Sequence, residues 1–244
     1  TTGEWKIKTS PSVSYGTNGF FWLKDSIATT DHSPNSNTFT VGGGTLTKTE
    51  DNPSNNFNTM NALALGSGVV LSNGNNTVTY SSNAYRTSTG TLGMTAGKYY
   101  WEFKIPADRD YLLYGITTVE SSARDADVMT NYKTSYSKIS YGTDFRYNTA
   151  GGAYSADSSY GSTDATGDII GIALDVDNNY FYMHKNGTYI NSGDPTSGAT
   201  GTGGKAVVSG LTYFPMTITY GTSIEFNFGN GYFGTTAVSS AGTN

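Results

Sequence analysis

The five glutamates Glu4, Glu50, Glu102, Glu120 and Glu225 are the residues with which this chain could cleave a glycosidic bond. That chemistry takes two carboxyl groups a few ångströms apart, one of them held protonated by its surroundings. On a strand, acids at i and i+2 or i+4 share a face. None of the five has such a partner within a strand pattern. Glu102 and Glu225 alternate with apolar residues and read as solvated positions on outer sheet faces; their pairing across strands is not legible from the sequence. His32 and His184 are the only imidazoles. His184 falls opposite the core-facing set of its strand and reads as a surface residue. No nucleophile-elbow sequence is present. Asp175-Val176-Asp177-Asn178-Asn179 alternates oxygen ligands in the manner of a calcium loop, without the central glycine and downstream acid of an EF-hand. Asp and Asn side chains close tight turns unaided. Asp108, Asp110, Asp125 and Asp127 are a similar weak case. The expectation is a chain with no catalytic residues, no metal and no cofactor.

Tyrosine points elsewhere. It occurs 19 times, and residues 111 to 160 set many of these rings among Ser, Gly and Asn. Tyrosine offers a large contact area at low entropic cost, and its small polar neighbours supply adaptable hydrogen bonds, as in antibody paratopes. The same rings stack on sugars. Tyr111, Arg124, Tyr132, Tyr136, Tyr147 and Tyr154 are the candidate contact residues. The competing reading is that half of the tyrosines in this stretch are strand residues facing inward.

The elements that must hold these residues are strands. Gly97 to Pro106 alternates, with Tyr99, Trp101, Phe103 and Ile105 on one face and Tyr100, Glu102 and Lys104 on the other. Pro106 closes the strand because it cannot donate to the ladder. Val69–Leu71 and Thr77–Tyr80 flank an Asn-Gly turn, a strong hairpin signal. Residues 111–118, 168–174, 180–185, 213–218 and 223–229 read as further strands, whereas 120–165 reads as looser. No segment sustains a 3.6-residue apolar period, so almost no helix is expected. Regularly spaced short strands with turn signals indicate an all-β, two-sheet antiparallel sandwich. Residues 57–234 would form it. Residues 1–56 would be an irregular lead-in with short strands and aromatic knots around Trp5 and Trp22. Residues 235–244 would be a polar tail or linker.

Composition narrows the partners. The net charge is -5 and only 14 Lys and Arg are present, scattered singly, so neither nucleic acid nor an anionic membrane surface is an expected partner. The apolar runs are far too short for membrane insertion through a helix. Cysteine is absent, so stability rests on the core and not on disulfides. No signal-like apolar segment follows Thr1, which reads as a processed product or a part of a longer chain.

Four ordered segments resemble a known family. Gly97-Lys98-Tyr99-Tyr100-Trp101-Glu102-Phe103 resembles the early strand of SPRY domains, and Gly167 to Asp175 their central strand. Phe181-Tyr182-Met183-His184-Lys185-Asn186-Gly187 is similar to the next strand and its turn, and Tyr213-Phe214-Pro215 with Ile224 to Gly229 to the close of the domain. The resemblance implies a concanavalin A-like sandwich that binds proteins through loops at one end and is not an enzyme. Asp51 to Leu63, followed by Val70 to Asn75, resembles a stretch that precedes SPRY-like modules in surface proteins of marine tailed phages. It implies a non-catalytic virion module, on a fibre, appendage or capsid exterior. Its partners would be other virion proteins or copies of itself, with a host-surface glycan or protein as a further one. The alternatives are a lectin-like carbohydrate binder and, behind it, a glycan-cleaving enzyme of the same fold.

Overall fold

The computed structural model describes residues 11–22, 29–43, 57–107, 111–118, 134–149 and 154–238. The chain divides into two compact units, residues 1–57 with 229–232 and residues 58–228 with 233–244.

The larger unit is built from strands. In chain order they begin β1 (Met60–Leu65), β2 (Val70–Ser72), β3 (Thr77–Thr79), β4 (Arg86–Gly90), β5 (Lys98–Lys104) and β6 (Leu113–Thr117). Next come β7 (Ser135–Ile139), β8 (Phe145–Asn148), β9 (Ser155–Asp157), β10 (Ile169–Asp175), β11 (Tyr180–Lys185), β12 (Thr188–Tyr189) and β13 (Lys205–Ala206). The series ends with β14 (Phe214–Thr219), β15 (Ser223–Asn227), β16 (Tyr232–Phe233) and β17 (Thr236–Ala237). One sheet runs β1-β4-β14-β6-β7-β8-β9; the other runs β12-β11-β10-β5-β15-β3-β2, with β13 also on β11. The pairings within both sheets are antiparallel. Among the described residues only two short 3-10 turns break the strand pattern, Ile190–Ser192 and Gly198–Thr200. The all-β sandwich expected from the sequence is the observed architecture.

The core lies between the sheets, where alternation puts it. Trp101, Phe103 and Ile105 of β5 and its extension are buried, as are Ile170 and Ile172, the partners of Phe103 and Trp101 on β10, and Leu174 beyond them. Phe103 meets Tyr114 of the facing sheet at 4.4 Å between ring centroids, and Phe145 meets Phe181 at 5.6 Å. Tyr99, at the start of β5, is 38% exposed and does not join this core.

Nine strands fall outside the segments read as strands. β7, β8 and β9 lie inside the stretch read as loose, and β1, β4 and the two-residue strands β12, β13, β16 and β17 were not legible either. β4 is Arg-Thr-Ser-Thr-Gly, with Thr87, Ser88 and Thr89 buried although no residue is aliphatic. On the neighbouring β14, Thr217 donates to Leu113 O at 3.1 Å and Thr219 to Arg86 O at 3.4 Å, whereas the buried Ser88 hydroxyl has no hydrogen-bond partner among the described residues.

Among the described residues 11–22 and 29–43 the chain forms turns and an isolated bridge between Thr30 and Thr38; the rest of the lead-in expected to carry short strands lies outside the described residues. Asp31 ties the turns. Its carboxylate accepts the N–H groups of Phe21, Ser33 and Asn37 at 2.8–3.0 Å, together with the Ser33 hydroxyl and the Asn37 amide. Burial pushes its pKa up, but these donors outweigh it and hold the group far below the usual carboxylate range. Trp22 stacks on Phe39 at 5.6 Å, and Trp5 lies outside the described residues. Thr236 and Ala237, in the segment read as tail, pair as β17 with β16.

Candidate functional site

Four loops bring four tyrosines to one end of the sandwich. Tyr85 immediately precedes β4, Tyr220 immediately follows β14, Tyr111 precedes β6, and Tyr141 follows β7. The register pairs Thr219 with Arg86, Ile218 with Leu113, and Leu113 with Ile139, so these four strand ends are level. Tyr111 is the hub: its ring lies 5.1 Å from Tyr141, 5.2 Å from Tyr220 and 6.3 Å from Tyr85, and Tyr85 and Tyr220 are themselves 5.2 Å apart. Tyr111 is 43% and Tyr141 41% exposed. Tyr85 also packs on Leu113, Ile139, Met216 and Ile218, a buried cluster on the outer face of the seven-stranded sheet, so the patch is anchored from below.

Tyr111 takes φ +61°, the left-handed region that non-glycine residues adopt at a cost and in which functional sites are over-represented. Beside the patch, Arg86 is tied down by bonds to Ser67 O and Tyr85 O at 2.9 Å and lies 4.9 Å from the Tyr80 ring centroid. The exposed parts of Tyr111 and Tyr141 offer amphipathic ring surface of a kind suited to stacking on a partner.

The residues predicted from sequence divide. Tyr111 is central to the patch. Tyr136 is only 2% exposed; its hydroxyl accepts the Val208 N–H at 2.9 Å, and its ring lies 6.2 Å from Tyr213. The sequence reading of Tyr136 as a contact residue is therefore corrected: β7 alternation turns it inward beside Lys138. Tyr147, its cross-strand partner, is half-buried and 6.4 Å from Phe145. Tyr154 is half-buried, covered by the Arg146 guanidinium at 4.7 Å, and packs on the Leu113 cluster. Arg124 and Tyr132 lie outside the described residues. Tyr85, Tyr141 and Tyr220 were not selected. The signal that could have found them is position, since each lies one or two residues beyond a strand end at the same level.

The outer face of the eight-stranded sheet carries the histidine and the acids. Gly171 lies opposite His184 on one side and Glu102 on the other, and a Cβ on Gly171 would fall 2.0 Å from His184 Nε2. The imidazole thus lies over a bare stretch of β10. Tyr100 stacks on it at 5.8 Å and Tyr189 meets it edge-on at 5.2 Å. His184 is 3% exposed, so the expectation of a surface residue is corrected: the missing side chain at 171 and the two tyrosines enclose it. The Gly187 N–H donates to His184 Nδ1 at 3.1 Å, which puts the ring proton on Nε2. Nε2 lies 2.7 Å from the Tyr100 hydroxyl, which donates to Glu102 at 2.6 Å. Burial lowers the His184 pKa, and Glu102 pulls it partly back.

Glu225 pairs with Lys104 and Asn227 with Glu102, so the two glutamates are diagonal neighbours, roughly 7–8 Å apart for that geometry. Both are half-buried; neither is enclosed as an acid held protonated by burial would be. At the Asp175–Asn179 turn, Asp175 accepts the Asn178 N–H and side-chain amide and pairs with Lys98 at 3.0 Å, while Asp177 accepts the Gly97 N–H. Protein donors thus close this turn.

No family model matches the chain, and no curated protein matches it. Solved structures do. The SPRY domain of human HERC1 is similar over 68% of this chain and 96% of its own, with 17% identity and a TM-score of 0.50. The TRIM65 PSpry domain is similar over 70% of this chain and 92% of its own, with 11% identity and a TM-score of 0.51. The fold is that of the SPRY sandwich.

Proposed function

We propose that this chain is a non-catalytic binding module of a phage virion exterior and that it makes its contacts through the four-tyrosine patch. The observation that carries the binding reading is the convergence of Tyr85, Tyr111, Tyr141 and Tyr220 from four loops onto one level end, with the hub residue in a left-handed backbone conformation. The virion setting is supported by the resemblance in residues 51–75 and by a sparsely charged, cysteine-free composition. The partner is a neighbouring virion protein, a second copy of the chain, or a host-surface molecule. Sugar rings suit the same faces, so a lectin-like role is the second reading.

Labelled protein applied to a glycan array, to intact bacterial cells and to virion proteins tests this. Binding that falls about tenfold or more when Tyr111 and Tyr141 are both changed to Ala, with folding intact, supports the patch. Binding that survives the double change moves the contact surface elsewhere. Release of reducing sugar from a glycan, abolished by Glu102→Gln, would overturn the non-catalytic reading.

A further inference from the structure

The core holds a charge pair that the binding reading does not use. Lys138 of β7 and Asp164 of the loop before β10 are each 1% exposed, and Lys138 Nζ lies 2.9 Å from Asp164 Oδ2. Tyr114, the register partner of Lys138 on β6, is fully buried between the sheets; its hydroxyl donates to Asp164 Oδ2 and lies 3.4 Å from Lys138 Nζ. The ammonium also reaches the carbonyls of Ile139 and Gly142 at 3.2 Å. Among the described residues, the buried Asp164 Oδ1 has no hydrogen-bond partner. A carboxylate oxygen left bare in a core is costly.

We propose that Lys138 and Asp164 condense to an intramolecular amide that cross-links β7 to the loop before β10. A proton passes from the ammonium to the carboxylate, giving an amine and an acid. Nζ attacks Asp164 Cγ and the Nζ–Cγ bond forms. The Tyr114 hydroxyl, placed between the two reacting groups, takes a proton from nitrogen and returns its own to Oδ2. The Cγ–Oδ2 bond breaks and one water leaves. Oδ1 remains as the amide carbonyl. No oxidant, cofactor or co-reactant is needed.

Three features favour the step. The reactants are held in contact, where effective concentrations reach roughly 10⁵–10⁸ M. Burial lowers the Lys138 pKa and raises that of Asp164, each against the pull of its partner, which favours the neutral amine and acid. Condensation also removes two buried charges, and the unpartnered Oδ1 becomes a neutral amide oxygen in place of a carboxylate oxygen.

The test is the intact mass of the denatured wild-type protein, followed over days after purification. The expected mass is lower than the sequence mass by one water, about 18 Da. Digestion should yield a branched peptide joining residues 138 and 164. Lys138→Arg and Asp164→Ala should show full mass, and Tyr114→Phe should form the link about a hundredfold more slowly. A wild-type protein that keeps its full mass, with linear peptides across both positions, overturns the proposal. So does a loss of water that persists in Lys138→Arg, because that marks dehydration at Asp164 alone. The wild-type measurements decide even if a variant fails to fold.

Discussion

At the scale of residues, Gly171 decides what the outer face of the eight-stranded sheet can hold. Any side chain there would displace the His184 ring, and the hydrogen-bonded chain from Gly187 through His184 and Tyr100 to Glu102 would break. The chain has a signature in pH. Because burial lowers the His184 pKa, the folded protein takes up this proton less readily than the unfolded chain. The stability it contributes is complete above the unfolded value of about 6.5 and is lost as pH falls from there through the folded pKa. Asp164, raised by burial, acts in the opposite sense for as long as its carboxyl is free, so the readout is a difference between proteins. Urea unfolding of wild type and His184→Gln should diverge in slope below about pH 6.5. Parallel curves between pH 7.5 and 5 would show that His184 is not held neutral.

At the scale of elements, the alternating strands are the most strongly specified. Phe103→Ala should cost about 3–5 kcal/mol, because the ring touches both Tyr114 and Phe226 in the core. Lys104→Ala, one position along and facing out, should stay within about 0.5 kcal/mol. Chemical denaturation of the two variants measures the contrast, and equal losses would refute the face assignment. The same contrast explains what could be read from the sequence. β5, β10, β11, β14 and β15 carry aliphatic and aromatic residues at period two or in continuous runs, and none extends more than one residue beyond a segment read as a strand. β4 is Arg-Thr-Ser-Thr-Gly and β7 is Ser-Tyr-Ser-Lys-Ile, and both are buried although small polar residues interrupt any apolar period. The site was less legible for a related reason. Tyr111 stood in a tyrosine-rich stretch, but Tyr85 and Tyr220 become its neighbours only through the registers of β4, β14 and β6.

At the scale of the larger unit, two strands that are consecutive in the chain occupy the middle of different sheets. β14 lies between β4 and β6, and β15 between β5 and β3. The short turn that joins them carries Tyr220 of the patch. Before these two strands are in place, one sheet is split into β1-β4 and β6-β7-β8-β9, and the other into β3-β2 and the strands from β5 to β12. Each half exposes unpaired strand edges, the condition under which chains associate wrongly. The order of synthesis then matters. A chain emerging from the ribosome has made every earlier strand yet owns two open seams, and both close only when residues 214–227 arrive. Stalled nascent chains that expose residues up to 210 should be digested by protease as readily as unfolded protein, and chains that expose both β14 and β15 should become resistant in a single step. Gradual gain of resistance across β5 to β11 would contradict this. The patch would then be assembled last, by the same event that seals the sandwich.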